Sequence, residues 1–573
     1  MNKIRNIILA GMLFSTLSCT KSFLEQNLQG QLTLNQVSST QGVENLLIGA
    51  YGLMNGNING TWGNYASAPT QWLFGDVAAD NAHKGSISTD IVTMTDIERH
   101  TPISVNDNLS TMWRNYYEGI IRCNNTLVAL AAVQSGSGNK FSDARAKQIE
   151  AEAKMLRAHY YFFLYRIFKN IPYIDETIAS TQAAIDTPND KDVLPMIITD
   201  LQFAVANLPL TPPLGDVGRS TKLAAEAYLG KVYLYQKNYP DALTLFKDVI
   251  ANKPSLTTMQ FSDNFNIQTK NGPEGIFVVQ DIINPDGGGD NANVGEMLSG
   301  LYGSAPVNCC GFNQPSFDLV NAFRVDADGL PLSTSDYRTK PYVSDFGLAG
   351  AAKDNYKVDQ TIAFDPRLDY TVGRRGVPYR DWGVMPGDGW LRAPAFAGPF
   401  AGMKFMINKA DFPGNTQNGA LYVTSTNVNI IRLADVYLMA AECAVETNDI
   451  PSALGWVNAV RNRAAKLPAV MIGSTPAAAY SVKPYPSFPN ADYARNAIRT
   501  ERRIELAMEG HRFFDILRWG IAKQTIESYS KFEGTYLPNN ANITFDDSKG
   551  AYWPIPQEQI DRSNGSLKQN AGY

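Results

Sequence analysis

The sequence predicts a mainly α-helical protein: a scaffold of tetratricopeptide-type helical repeats carrying one loop-rich elaboration. Three observations lead there. A repeat pattern occurs twice, several long stretches have helical apolar period, and one long stretch rich in glycine and proline lacks that period.

The repeat is clearest at 223–256, which holds Leu229, Gly230, Tyr233, Tyr239, Ala242, Phe246 and Pro254. A small residue is followed by another twelve places on, an aromatic four later and a proline eight after that. This is the spacing of the ~34-residue tetratricopeptide template. Gly230 and Ala242 let two antiparallel helices approach closely, and Tyr233 and Phe246 are expected to fill the groove to the next repeat. The same twelve-residue step returns at Ala441 and Ala453, within 433–465.

Around the repeats, 150–168 carries Met155, Leu156, Phe162, Phe163, Leu164, Ile167 and Phe168, an apolar face broad enough to require a largely buried helix. Stretches 115–132 and 495–521 also read as helices, and Pro172 and Pro209 fall where helices should end. From 271 to 425 the period disappears, glycines cluster at 287–289 and prolines are frequent, so long loops with short strands are expected. Its ends return to helical sequence, which makes it an elaboration packed on the scaffold. The division is therefore a leader at 1–18, a helical part at 19–270, the elaboration at 271–425 and a second helical part at 426–573.

The leader is read from a basic start (Lys3, Arg5), an apolar run from Ile7 to Leu17, and Ser18 directly before Cys19. That run is too short for a bilayer-spanning helix of ~20 residues. A cysteine at the cleavage point makes Cys19 the expected lipidation site. Thr16 stands where such signals usually have leucine.

Bulk properties exclude other classes. At 44% hydrophobic and 18% charged the chain is globular, and its net charge of −5 provides no field for nucleic acid. Cys123 and Cys443 lie in apolar helical surroundings and are expected to be small buried residues; adjacent Cys309 and Cys310 could form a disulfide or stay as two thiols. There is no zinc spacing, phosphate loop or Gly-x-Ser-x-Gly elbow, and no cofactor is expected. Glu501, Glu505, Glu509, His511 and Asp515 crowd one segment, but their spacing suits helix-face ion pairs rather than a metal site. The segment from Asp326 to Gly329 lacks the ligands of a calcium loop and reads as a turn.

Several segments together carry a family resemblance. They are Cys19-Thr-Lys-Ser-Phe-Leu-Glu25, Trp113-Arg-Asn-Tyr-Tyr-Glu-Gly-Ile120 with Cys123-Asn-Asn125, and Glu152-Ala-Lys-Met-Leu-Arg-Ala-His-Tyr-Tyr161 with Ile171-Pro172. Further along come Arg432-Leu-Ala-Asp-Val-Tyr-Leu-Met-Ala-Ala-Glu442 and Arg499-Thr-Glu-Arg-Arg-Ile-Glu-Leu-Ala-Met-Glu-Gly-His-Arg512 with Asp515 and Arg518-Trp519. The ending is Pro554-Ile-Pro556 and Gln569-Asn570-Ala-Gly-Tyr573. In order and coverage the chain resembles the SusD/RagB nutrient-binding outer-membrane lipoproteins of Bacteroidetes. The resemblance implies a SusD-like helical fold, a glycan or related nutrient as ligand, and a SusC-like TonB-dependent transporter over which the protein acts as a lid. It also implies a lipid anchor in the outer membrane, facing outside, and no enzymatic activity.

Sugar binding needs flat aromatic faces beside amides and charged groups. Trp62, Asn64 and Tyr65, with Trp72 nearby, Phe312 and Asn313, Trp382, and Trp390 with Arg392 are the loop residues of that kind, in the regions where the resemblance places a ligand surface. Trp62, Tyr65 and Trp382 lead; Asn64, Asn313 and Arg392 are candidates for hydroxyl contacts. Each of these aromatics, taken alone, is more often an ordinary packed residue. The alternatives are a repeat scaffold whose only ligand is protein, and a glycoside hydrolase with paired carboxylates.

Overall fold

The computed structural model describes residues 37–58, 64–178, 180–283, 291–305, 309–417, 423–549 and 552–573. Cys19, Trp62 and the leader lie outside them, as does the 287–289 glycine run.

Helices α1 (Thr40–Gly52), α2 (Asp107–Ser135), α3 (Asp143–Phe168), α4 (Leu194–Asn207), α5 (Lys222–Tyr235) and α6 (Tyr239–Asn252) come first. After the elaboration follow α7 (Leu433–Glu446), α8 (Ile450–Ala464), α9 (Ala491–Glu505), α10 (Arg512–Arg518) and α11 (Ala522–Glu533). Side-chain caps start them where the sequence offers short polar residues. Ser142 accepts from the Arg145 amide, Thr221 from Ala224, Asp449 from Ser452 and Asn490 from Tyr493. From α1 to α8 each helix packs against the next, and α9 closes the row against α7 and α8.

Inside the α5–α6 pair the close approach is literal. A Cβ on Gly230 would lie 2.6 Å from the Phe246 ring, so the glycine makes room for a side chain of its own partner helix. The expectation that Tyr233 and Phe246 both face the next repeat is corrected accordingly. Phe246 sits on Gly230, and the Tyr233 hydroxyl accepts from Gln202 on the preceding helix α4.

The elaboration is tied shut at its base. Strand β2 (Gly275–Val279) pairs antiparallel with β6 (Val428–Arg432), bringing α6 and α7 together across the intervening segment. Within it and at its edges, β1 (Ala82–Gly85) pairs with β3 (Phe312–Pro315), and β4 (Val372–Gly373) with β5 (Ala401–Gly402). A separate apolar cluster of Leu301, Tyr379, Met385, Trp390, Met403 and Met406 lies under these loops. The 326–329 segment is a turn, with the Asp326 carboxylate accepting from the Asp328 and Leu330 amides.

The stretch 495–521 is not one helix. It breaks after Glu505 and resumes at Arg512, with Gly510 at φ +74° between them. The Gly510 amide donates to the Asp76 carboxylate at 2.7 Å, and a Cβ there would lie 1.6 Å from the Thr70 carbonyl oxygen. Only glycine fits this left-handed, backbone-to-backbone crossing.

The charges of this segment hold the scaffold together. Arg432 reaches Glu274, Glu505 and Glu509; Arg463 reaches Glu274 and Glu505; Arg367 reaches Asp365, Glu501 and Glu505. Arg502 joins Asp435 to Asp515, while Arg503 joins Asp80 to Asp318. All these groups are buried. Burial alone would raise Glu505, but Arg463, Arg432 and Arg367 hold it well below the usual carboxylate range. Asp515, likewise opposed by burial, is held at about 2 by Arg502 and Arg518. Burial pushes His511 down to about 3, leaving it neutral. Among the described residues no cluster of His, Cys, Asp and Glu could hold a metal ion, and no helix is long and apolar enough to cross a membrane. Cys123 and Cys443 are free and buried.

Candidate functional site

The aromatic and polar residues singled out in the sequence fall into three places. The first is built by 298–305, 309–312 and 389–392. The Tyr302 amide donates to the Trp390 carbonyl and the Ser304 amide to the Gly389 carbonyl, both at 2.9 Å, which lays these two segments side by side. Cys309 and Cys310 are joined by a disulfide, and the Cys310 amide donates to the Leu298 carbonyl at 3.1 Å. The arrangement leaves Tyr302 at the surface, 37% exposed, with the Arg392 guanidinium 4.8 Å from its ring centroid. Arg392 is fixed in turn by Asp90 at 2.5 Å and by the Ser86 hydroxyl at 2.8 Å. A partly exposed tyrosine ring, the cation set over it and the carboxylate that fixes that cation thus share one patch.

Phe312 and Trp390 support this patch rather than form it. Phe312 is 1% exposed, in the β1–β3 pair, with Lys84 Nζ 5.7 Å from its ring. Trp390 is buried edge-on against Tyr379, with centroids 6.0 Å apart. Asn313 is buried too, at φ +50°, in the wall of a small cavity with Glu296 and Lys404. As surface contacts, Phe312, Asn313 and Trp390 are therefore corrected: strand pairing and the cluster beneath the loops enclose them.

The second place surrounds Tyr65, which is half-buried against Ala292, Met297 and Val423. Asn64 beside it is buried, donating to Asn57 Oδ1 and accepting from Asn115 Nδ2, each at 2.9 Å, so its amide ties the loop to α2 instead of facing outward. Trp72 is fully enclosed, its indole N–H donating to the Gly295 carbonyl at 3.0 Å. It is a core residue, because 292–299 packs over it from more than two hundred positions away.

The third place holds Trp382. Its indole N–H donates to the Ile407 carbonyl at 2.8 Å and its ring meets Phe412 edge-on at 5.7 Å, leaving it half-buried at the rim of the cluster under the loops. Sequence reasoning missed Tyr302. The available signal was a tyrosine between Gly300 and Gly303 in a stretch without helical period.

Comparison with known proteins bears on this arrangement. The model of the SusD family matches residues 273–573, more than half of the chain. The chain belongs to the SusD family. A second family model, described as starch-binding associating with outer membrane, matches residues 22–234. Among SusD relatives, SusD-like protein P25 of Formosa agariphila is 24% identical over 598 residues, covering 99% of both chains. Among solved structures, a SusD-like carbohydrate binding protein of Bacteroides fragilis superposes with TM-score 0.68 at 24% identity, covering 92% of this chain and 98% of that one. Surface glycan-binding protein A of Bacteroides thetaiotaomicron, in complex with laminarihexaose, gives 0.65 at 20% identity, with 93% and 99% covered. At these identities the structural likeness is one of fold, and the fold is mainly helical in the SusD manner.

Proposed function

We propose that this SusD-family protein captures a carbohydrate at the outer membrane and passes it, uncleaved, to a SusC-like TonB-dependent transporter over which it acts as a lid. The observation that carries the binding role is the Tyr302–Arg392 patch. A sugar ring can lay its C–H face on the tyrosine while its hydroxyls meet a guanidinium and a carboxylate that are already fixed by each other. The family description and the carbohydrate-binding relatives support the ligand class. Tyr65 is proposed to extend the contact and Trp382 to border it; Trp62, outside the described residues, is proposed as a ligand contact from the sequence alone.

Anchoring is assigned to lipid on Cys19 after removal of the leader, with the protein facing outside. Stable attachment by this means takes more than one acyl chain. Cleavage of the ligand is not part of the proposal: the carboxylates Glu501, Glu505, Glu509 and Asp515 are committed to buried arginines and lysine.

The test is affinity electrophoresis and calorimetry on a polysaccharide panel, with wild type and Tyr302→Ala side by side. Retention of a glycan without released oligosaccharide, weakened in the variant, is the expected result. Copurification with a β-barrel but no glycan retention would favour a purely protein-binding scaffold, and released sugar would favour a hydrolase. Cys19→Ala should yield a folded protein absent from the membrane fraction of cells lacking the barrel.

A further inference from the structure

A cleft of about 240 Å³ opens between the turn Phe261–Phe265, the loop at 378–381 and the strip 403–408. None of its lining residues belongs to the Tyr302 patch. One wall is the half-buried Tyr370 ring, fixed because its hydroxyl donates to the Pro468 carbonyl at 2.9 Å. The Phe265 ring and Met403 give the apolar floor, and Phe405 backs Phe265 edge-on at 6.0 Å.

The polar rim is stitched in place by its own backbone. Exposed Asp381 accepts from the Lys409 amide at 2.6 Å and the Ala410 amide at 2.9 Å, one on each oxygen, leaving lone pairs for further donors. Arg380 turns its guanidinium to the Met403 and Lys404 carbonyls at 3.1 and 3.0 Å. The rim thus carries a carboxylate with acceptor capacity to spare beside a guanidinium held by carbonyls. The hydroxyls of a sugar can donate to Asp381 while its ring lies on Tyr370.

We propose that this cleft is a second carbohydrate subsite, taking one or two rings of a glycan and lined by other residues than the Tyr302 patch. Its volume lies just below the roughly 300–1,000 Å³ of pockets for larger organic ligands, which limits the occupant to a short terminus or branch. The inference rests on the carbohydrate-binding reading above and adds to it a separate contact for the same class of ligand.

The test uses the full chain with glucose, galactose and mannose at high millimolar concentration, read by saturation-transfer NMR and by crystal soaking. Wild type should show a hexose signal, and crystals should hold a ring against Tyr370 with a hydroxyl on Asp381. Ser262→Trp, which fills the cleft, should weaken that signal on the order of tenfold or more, whereas Tyr302→Ala should keep it. Tyr370→Ala removes the wall instead of filling the space, and serves if the tryptophan variant does not fold. No hexose signal in wild type, an empty cleft after soaking, or a signal unchanged in folded Ser262→Trp and Tyr370→Ala would overturn the proposal. Polysaccharide binding lost in Tyr302→Ala with the cleft empty would leave the functional reading standing and remove this subsite. Hexose in the cleft with polysaccharide binding indifferent to Tyr302 would do the reverse.

Discussion

Arg432 and Glu505 meet at 2.5 Å with at most 1% of either side chain exposed, joining the strand that closes the elaboration to the end of α9. The pair is the centre of a network that also takes in Arg463, Arg367 and Glu274. Replacing Glu505 with Ala leaves buried guanidinium groups short of a counter-charge, which typically costs ~3–5 kcal/mol. Chemical denaturation should show that loss, and the gap between wild type and variant should close in acid. The sign follows from Glu505 being held below its unfolded value: its contribution is present above the ordinary carboxylate pKa and disappears as pH falls through the folded one. A variant as stable as wild type at neutral pH would contradict the network's structural role.

His83 gives the opposite limb. Its two ring nitrogens lie 3.1 Å from Glu98 and 2.8 Å from Glu533, with all three side chains buried. Burial alone would lower the imidazole, but the hydrogen bonds and charges of Glu533 and Glu98 raise it to about 9 from 6.5. A raised folded pKa stabilises fully below the unfolded value and is lost as pH rises through the folded one. Wild type should therefore exceed His83→Gln by up to ~3 kcal/mol near pH 6, on the order of one pKa unit being 1.4 kcal/mol. That difference should shrink between 6.5 and about 9. Melting curves of both proteins across this range check it; a constant difference would mean that His83 is not charged in the fold.

Trp72 and Tyr302 should separate core from surface. Trp72→Ala empties a fully enclosed site and should cost ~3–5 kcal/mol. Tyr302→Ala removes a ring that is 37% exposed and should leave the melt close to wild type. Ligand affinity should fall on the order of tenfold or more, equivalent to 1.4 kcal/mol. Calorimetry and thermal melts on both variants decide the matter, and a large stability loss in Tyr302→Ala would move the binding surface elsewhere.

Gly230 should tolerate no side chain. A Cβ at 2.6 Å from Phe246 forces the ring or the helix to shift, and Leu there should cost ~1–3 kcal/mol or more. The double variant Gly230→Ala with Phe246→Leu should recover part of the loss, because the ring is what the Cβ meets. Absence of any recovery in the melting temperature would show that the helices themselves, not the ring, set the spacing.

The sequence by itself determined the mainly helical fold and the family. Those signals are local: the step from Gly230 to Ala242, the apolar face of α3 and the turn residues between 271 and 425 follow from the backbone's own periodicity. It also marked the charges of 499–518 as ion-paired, but by helix-face spacing, whereas Glu501 and Glu505 meet Arg367, Arg432, Arg461 and Arg463 from distant parts of the chain. It did not show that this segment breaks at Gly510, since that turn is imposed by the Thr70 backbone crossing it from far away in the chain. Nor could it rank the aromatics. Trp72 and Tyr302 each have an apolar residue on one side and a polar or small one on the other in the sequence, yet one is sealed under the Gly295 segment and the other stays partly exposed beside Arg392. Exposure is decided by which distant segments pack over a residue, and that information resides in the tertiary structure.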